Sequence, residues 1–184
     1  MALSGSTRRD HEKFVKRVLR IVANGSVGAS TARHMGPGTV QEAQCFLSKL
    51  DPASFRTASE EEFRQVLDSA TEEFREKLTN KSWGAARKFL NIFLRDVLYN
   101  RFLCEYYNLA PIEPFLEVPL DGKVGKWLYD RHKEKGGSDL RPWGTVIRLE
   151  REVSDKYQEF ARQVAEDEGC FRVDLDLLGY GGVD

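Results

Sequence analysis

The chain has 184 residues, of which 41% are hydrophobic and 31% charged, and its formal net charge is −1. A chain of that length buries roughly 70% of the surface its unfolded form exposes, so its core needs neither a metal nor a disulfide framework. The near-neutral balance excludes a uniformly basic surface, so a nucleic-acid partner would require basic residues gathered on one face.

Cys45, Cys104 and Cys170 are odd in number, widely spaced and set among apolar residues. They are expected as buried thiols in a reducing, cytoplasmic compartment rather than as disulfides or a zinc site. His11, His34 and His132 are too scattered to complete a metal cluster, and no cofactor is expected. No apolar run reaches membrane-spanning length, and residues 1–6 lack the apolar core of a signal peptide, so no membrane partner is expected.

Residues 10–23 predict an amphipathic helix. Phe14, Val15, Val18, Leu19 and Val22 recur at helical spacing, with Lys13, Lys16, Arg17 and Arg20 mostly opposite. That basic face could meet phosphate, though a solvated face is the commoner meaning of such a run. Residues 24–38 are rich in Gly, Ser and Ala and predict a flexible crossover, as do residues 1–9 a flexible lead. Thr39 is placed to cap a short helix ended by Asp51-Pro52. Ser59 and Glu62 form a capping box for a helix running to about Thr79, with an acidic, solvated outer face.

A central helix is expected over residues 85–107, apolar around most of its circumference, following a tight turn at Gly84. Lys88, Asn91 and Arg95 break that background along one stripe and must face solvent, a partner or a cleft, because unpaired buried charge is costly. Residues 108–120 hold Pro111, Pro114 and Pro119 and predict an extended loop on the core. Asp121 then caps a helix to about Lys133, and residues 134–141 form an exposed turn. A helix from Ser154 ends at Gly169, and the state of residues 172–180 is ambiguous. With no repeat and no boundary, the expectation is an all-α, single compact helical domain over residues 1–184, present as a monomer.

Two motifs carry a resemblance. Gly84-Ala85-Ala86-Arg87-Lys88 and Val118-Pro119-Leu120-Asp121-Gly122-Lys123-Val124 look like the helix-hairpin-helix DNA glycosylases. That superfamily has a Gly-x-Gly-x-Lys hairpin bearing a nucleophilic lysine, and later an essential aspartate at a helix N-terminus. The 33 positions from Lys88 to Asp121 are most similar to the archaeal 8-oxoguanine DNA glycosylase branch. Leu175-Asp176-Leu177-Leu178-Gly179-Tyr180 stands where that branch carries a Leu-Asp-x-Leu-Leu-Trp segment against the flipped base. The likeness covers residues 81–180, with Ala86 in place of the second hairpin glycine and Tyr180 in place of the tryptophan; residues 1–80 have no counterpart.

The resemblance implies a helix-hairpin-helix-like element and base excision from double-stranded DNA. Lys88 would attack the sugar, Asp121 would assist, and Asp176, Tyr180 and Trp83 would hold the extruded base, with Trp143 also available. Gly84, Ala86, Arg87 and Lys123 would contact the DNA backbone. Each residue also has a plainer role: Lys88 as a surface lysine, Asp121 as a simple helix cap, Asp176 and Tyr180 as a turn and a core residue, and the tryptophans as packing. The alternative for the whole chain is a non-catalytic helical DNA-binding or protein-interaction module. The enzyme expectation requires the Lys88 amine and the Asp121 carboxylate to share one cleft with a basic rim.

Overall fold

The structure is a computed structural model that describes residues 5–178, with side chains described from residue 10. It is all-α, and no strand occurs among the described residues. No helix there is long and apolar enough to cross a membrane.

Helix α1 (Gly5–Ser26) outruns the expected segment at both ends. Residues 27–38 form turns whose Val27, Ala32 and Met35 are buried, so this stretch is a packed wall rather than a loose crossover. Side chains from elsewhere hold it: Gln44 donates to the Val27 carbonyl at 2.8 Å and Asn80 to the Met35 carbonyl at 2.9 Å. Helix α2 (Thr39–Leu47) is capped by Gly38 at φ 82°, where the left-handed backbone favours glycine. Thr39, expected as the cap, instead donates backward to the Met35 carbonyl at 2.9 Å.

Helix α3 (Glu60–Lys77) opens on Ser59, whose hydroxyl accepts from the Glu62 amide, while Glu62 reaches back to the Ala58 amide. Residues 78–82 then turn the chain into α4 (Trp83–Tyr99), capped by Ser82, whose hydroxyl accepts from the Ala85 amide at 3.1 Å. The turn therefore precedes Gly84, which lies inside the helix. The central helix stops at Tyr99, short of the expected Tyr107, because Asn100 takes an extended conformation and caps both sides of the break. Its backbone amide donates to the Asp96 carbonyl, and its side chain accepts from the Leu103 amide of α5 (Arg101–Tyr107). Short polar side chains of this kind compete with the helical ladder for backbone groups.

After α5, Asn108 turns left-handed and residues Ala110–Phe115 make a 3-10 turn where an extended loop was expected. Helix α6 (Gly122–Glu134) follows Asp121, and α7 (Arg151–Glu168) ends at Gly169, φ 67°. A last short helix, α8 (Leu175–Leu178), closes the described chain.

Two apolar clusters form the interior. One unites α1–α5 with residues 27–35, around Phe63, Phe74, Phe89 and Phe93; the other unites α6, α7 and α8 with Val118 and Leu120. Trp143 packs against both. The thiols are less buried than expected: Cys45 is exposed, while Cys104 and Cys170 are partly covered, packed against the first and second cluster respectively.

Gly84 owes its identity to this packing. A Cβ there would stand 2.1 Å from the Val146 carbonyl oxygen and 2.6 Å from Leu149 Cβ. Alanine gains up to about 1 kcal/mol of helix propensity, but displacing a neighbouring backbone costs about 1–3 kcal/mol. Gly84→Ala is therefore expected to lower unfolding free energy by about 1 kcal/mol, read in urea melts; an unchanged midpoint would show that residues 146–149 yield freely.

Candidate functional site

A cleft of about 870 Å³ opens where the two clusters meet. One wall comes from the C-terminal end of α1 and residues 30–35, the floor from Lys88, Ile92, Arg95 and Asp96 of α4. The opposite wall comes from Pro119–Lys123, residues 144–147 and Asp176–Leu177. Lys88, Asp121 and Asp176, far apart in sequence, thus line one space.

Each is placed by a distinct local cause. Lys88 lies in the second turn of α4, and only 8% of it is exposed. Its ammonium donates to the Thr31 carbonyl at 3.0 Å. Burial pushes the amine below its ordinary pKa, and the negative charges of Asp121 and Asp176 push back without cancelling the effect. Asp121 caps α6, its Oδ1 accepting from the Lys123 and Val124 amides at 2.8 and 2.9 Å. Asp176, on α8, pairs with Arg95, which also holds Asp96 at 2.9 Å. Burial raises the Asp176 carboxyl above its usual range, and the Asp121 charge adds to the rise against the pull of Arg95 and Lys88.

The strand of chain delivering Asp121 is held by a buried polar knot. Arg87 grips Glu117 through two bonds of 2.8 and 2.7 Å, reaches Asp68 at 2.9 Å, and bonds Thr71 at 3.0 Å. Asn91 donates to the same Glu117 at 3.0 Å. One residue on, Val118 exchanges two hydrogen bonds with the Gln158 amide of α7, at 3.1 and 2.8 Å. Arg172 closes the knot by donating to the Phe115 and Leu116 carbonyls. Burial would raise the Glu117 carboxyl, but Arg87, Arg172 and Asn91 outweigh it and hold the pKa at about 2.

This knot corrects several expectations. Arg87 is 2% exposed and committed to Glu117 and Asp68, so it is not presented to a DNA backbone. Ala86 is fully buried, and Gly84 lies beneath residues 146–149, so neither forms an open phosphate-binding hairpin. Trp83 does not line the cleft; the Arg87 guanidinium lies over its ring at 5.4 Å, a cation–π contact. Trp143 packs edge-on against Tyr157 and covers Gly125. Asn91, expected to face solvent, a partner or a cleft, is buried in the knot instead. The outer face of α3 is more than solvated, since Asp68 and Glu60 bind Arg87, Arg151, Arg162 and Arg172. Lys123 is exposed at the cleft, beside Arg33 and His34 as basic rim groups. Tyr180 lies outside the described residues.

Sequence reasoning missed Glu117 altogether. A lone carboxylate inside Phe115-Leu116-Glu117-Val118 was the available signal, because an acidic residue in an apolar run is buried only when a cation meets it. It also missed residues 30–34, which supply Thr31, Arg33 and His34 to the cleft. Among the described residues no group of three His, Cys, Asp or Glu side chains is arranged to hold a metal ion.

No family model, curated protein or solved structure matches this chain.

Proposed function

We propose that the chain is a DNA base-excision glycosylase with lyase activity, acting on an oxidised purine such as 8-oxoguanine in double-stranded DNA. One observation carries the reading: a buried amine with a depressed pKa shares a cleft with two carboxylates contributed by distant segments. A lysine at its reference pKa is a free amine in only about one molecule in a few thousand at neutral pH, and burial raises that fraction.

In this chemistry the target nucleotide is extruded from the duplex into the cleft. The Lys88 nitrogen attacks the sugar C1′ as the bond to the base breaks, and the departing base nitrogen takes a proton. The amine loses a proton, the sugar ring opens, and a Schiff base links Lys88 to the sugar. Asp121 stabilises positive charge developing on the sugar and accepts or orients the amine proton. Asp176 faces the base. Lys123 and Arg33 meet the flanking phosphates.

Borohydride reduction tests this directly. It should trap a covalent complex with DNA bearing 8-oxoguanine or an abasic site. Lys88→Gln should abolish the complex, and Asp121→Asn should slow base release while preserving the helix cap, since asparagine caps as well as aspartate. Trapping that survives Lys88→Gln would remove Lys88 from the reaction.

The Thr31 bond favours a second reading. In it Lys88 is a tie between α4 and residues 27–38, and the chain is a non-catalytic DNA-binding or interaction module.

A further inference from the structure

A second groove, of about 1110 Å³, lies between the earlier turns of α1, residues 48–56 and the end of α5. It is separate from the Lys88 cleft, which uses only Gly25 and Ser26 of α1. Six cations line it: Lys13, Lys16, Arg17 and Arg20 from α1, and Lys49 and Arg56 from across the groove. All six are exposed, against two carboxylates, Glu12 and Asp51. Asp51 is itself exposed and accepts the Ala53 amide at 3.0 Å. Among the described residues, Lys13 is the one of the six that has an ion-pair partner, the exposed Asp10 at 3.6 Å.

The sequence alone shows four of these cations on one helix face, an ordinary solvated arrangement. The fold adds Lys49 and Arg56 from a separate segment, so like charges converge on a concave surface in a chain whose net charge is −1. Convergence of this kind raises the local potential and draws anionic ligands to the groove. The floor is apolar and aromatic: Val15, Leu19 and Leu50 lie beneath, and Tyr106 and Tyr107 meet edge to face at 4.9 Å. Tyr106 remains 43% exposed, its ring braced by Phe102 and His11.

We infer that this groove binds single-stranded nucleic acid, its cations following the phosphates and Tyr106 stacking a base. Positive walls around an aromatic floor are the arrangement that sequence-tolerant strand binding uses. An acidic peptide has no row of flat rings to use the tyrosine, and a membrane surface does not enter a concavity. The groove shares no lining residue with the Lys88 cleft, and its binding requires no chemistry at Lys88.

The test is fluorescence anisotropy of the full chain with a labelled, lesion-free oligothymidylate of about 15 nucleotides, across a salt titration starting near 50 mM. Lesion-free DNA offers Lys88 nothing to excise, so failure here and failure of covalent trapping are read separately. Lys16→Glu/Arg17→Glu/Lys49→Glu should weaken binding at least about ten-fold and flatten the salt slope by about 2, at ~0.7 per phosphate contact. Tyr106→Ala should weaken it about ten-fold with the slope unchanged. Because all four positions are exposed, melting curves should match the parent; if the charge variant fails to fold, Lys16→Gln/Arg17→Gln/Lys49→Gln tests the same three charges. Unaltered affinity in the charge variants, or no binding by the parent, overturns the inference. So does tighter binding of a duplex of equal length that ignores Tyr106→Ala, or displacement of the strand by polyglutamate at matched charge.

Discussion

Lys88→Met should abolish covalent trapping while leaving the protein as stable as the parent or more so. The side chain is 8% exposed, and its ammonium bonds a backbone carbonyl, that of Thr31. Replacing a desolvated charge with an apolar side chain of similar length removes a penalty and keeps the packing. The sign with pH follows from the lowered pKa. In the folded state the amine gives up its proton more readily than in the unfolded chain, so the penalty is full below the folded pKa. It fades as pH rises from there to the unfolded value near 10.4. The stability advantage of Lys88→Met should therefore be largest at neutral pH and shrink toward pH 10, as followed by urea melts. The structural-tie reading predicts the opposite sign, a loss of stability with residues 27–38 loosened, so one pair of melts separates the two readings.

Arg87→Met should destabilise the fold by about 3–5 kcal/mol, because it leaves Glu117 buried without its counter-charge. Asp68 and Thr71 lose the same partner. The effect reaches the cleft, since Glu117 and Val118 anchor the segment that ends in Asp121. Adding Glu117→Leu should restore much of the loss, which a double-mutant cycle in urea would measure. Acid supplies a second check. With Arg87 present, the Glu117 carboxylate contributes stability above the unfolded carboxyl pKa, and that contribution disappears as pH falls toward about 2. Without Arg87, burial dominates and the carboxyl takes up a proton at higher pH. The gap between parent and variant should consequently narrow from about pH 5 downward. A gap independent of pH would mean that Glu117 is not the group left uncompensated.

Much of the site was legible, but its surroundings were not. Lys88 and Asp121 stood out as a polar residue on an apolar helix and a carboxylate at a helix start, and both line the cleft. Arg87 gave the same local signal as Lys88, one residue away, and turned out to serve Glu117. Neighbours on a helix point about 100° apart, so which of two adjacent cations meets a cleft and which meets a buried carboxylate depends on what packs against each face. Gly84 was equally ambiguous: a glycine before a basic residue fits a phosphate turn, and it also fits a helix crossed closely by residues 146–149.

The all-α class, the apolar circumference of α4, the Ser59 cap and the Gly169 stop are properties of short stretches, set by periodicity and by side chains bonding their own backbone. They needed no knowledge of distant neighbours, and so the sequence by itself determined them. The pairing of Arg87 with Glu117, the burial of residues 27–35, the meeting of Lys88 with Asp121 and Asp176, and the gathering of Lys49 and Arg56 beside α1 all join segments remote along the chain. Only the tertiary structure decided these, because whether a charge is buried, paired or presented depends on which surfaces the closing of the two apolar clusters brings together.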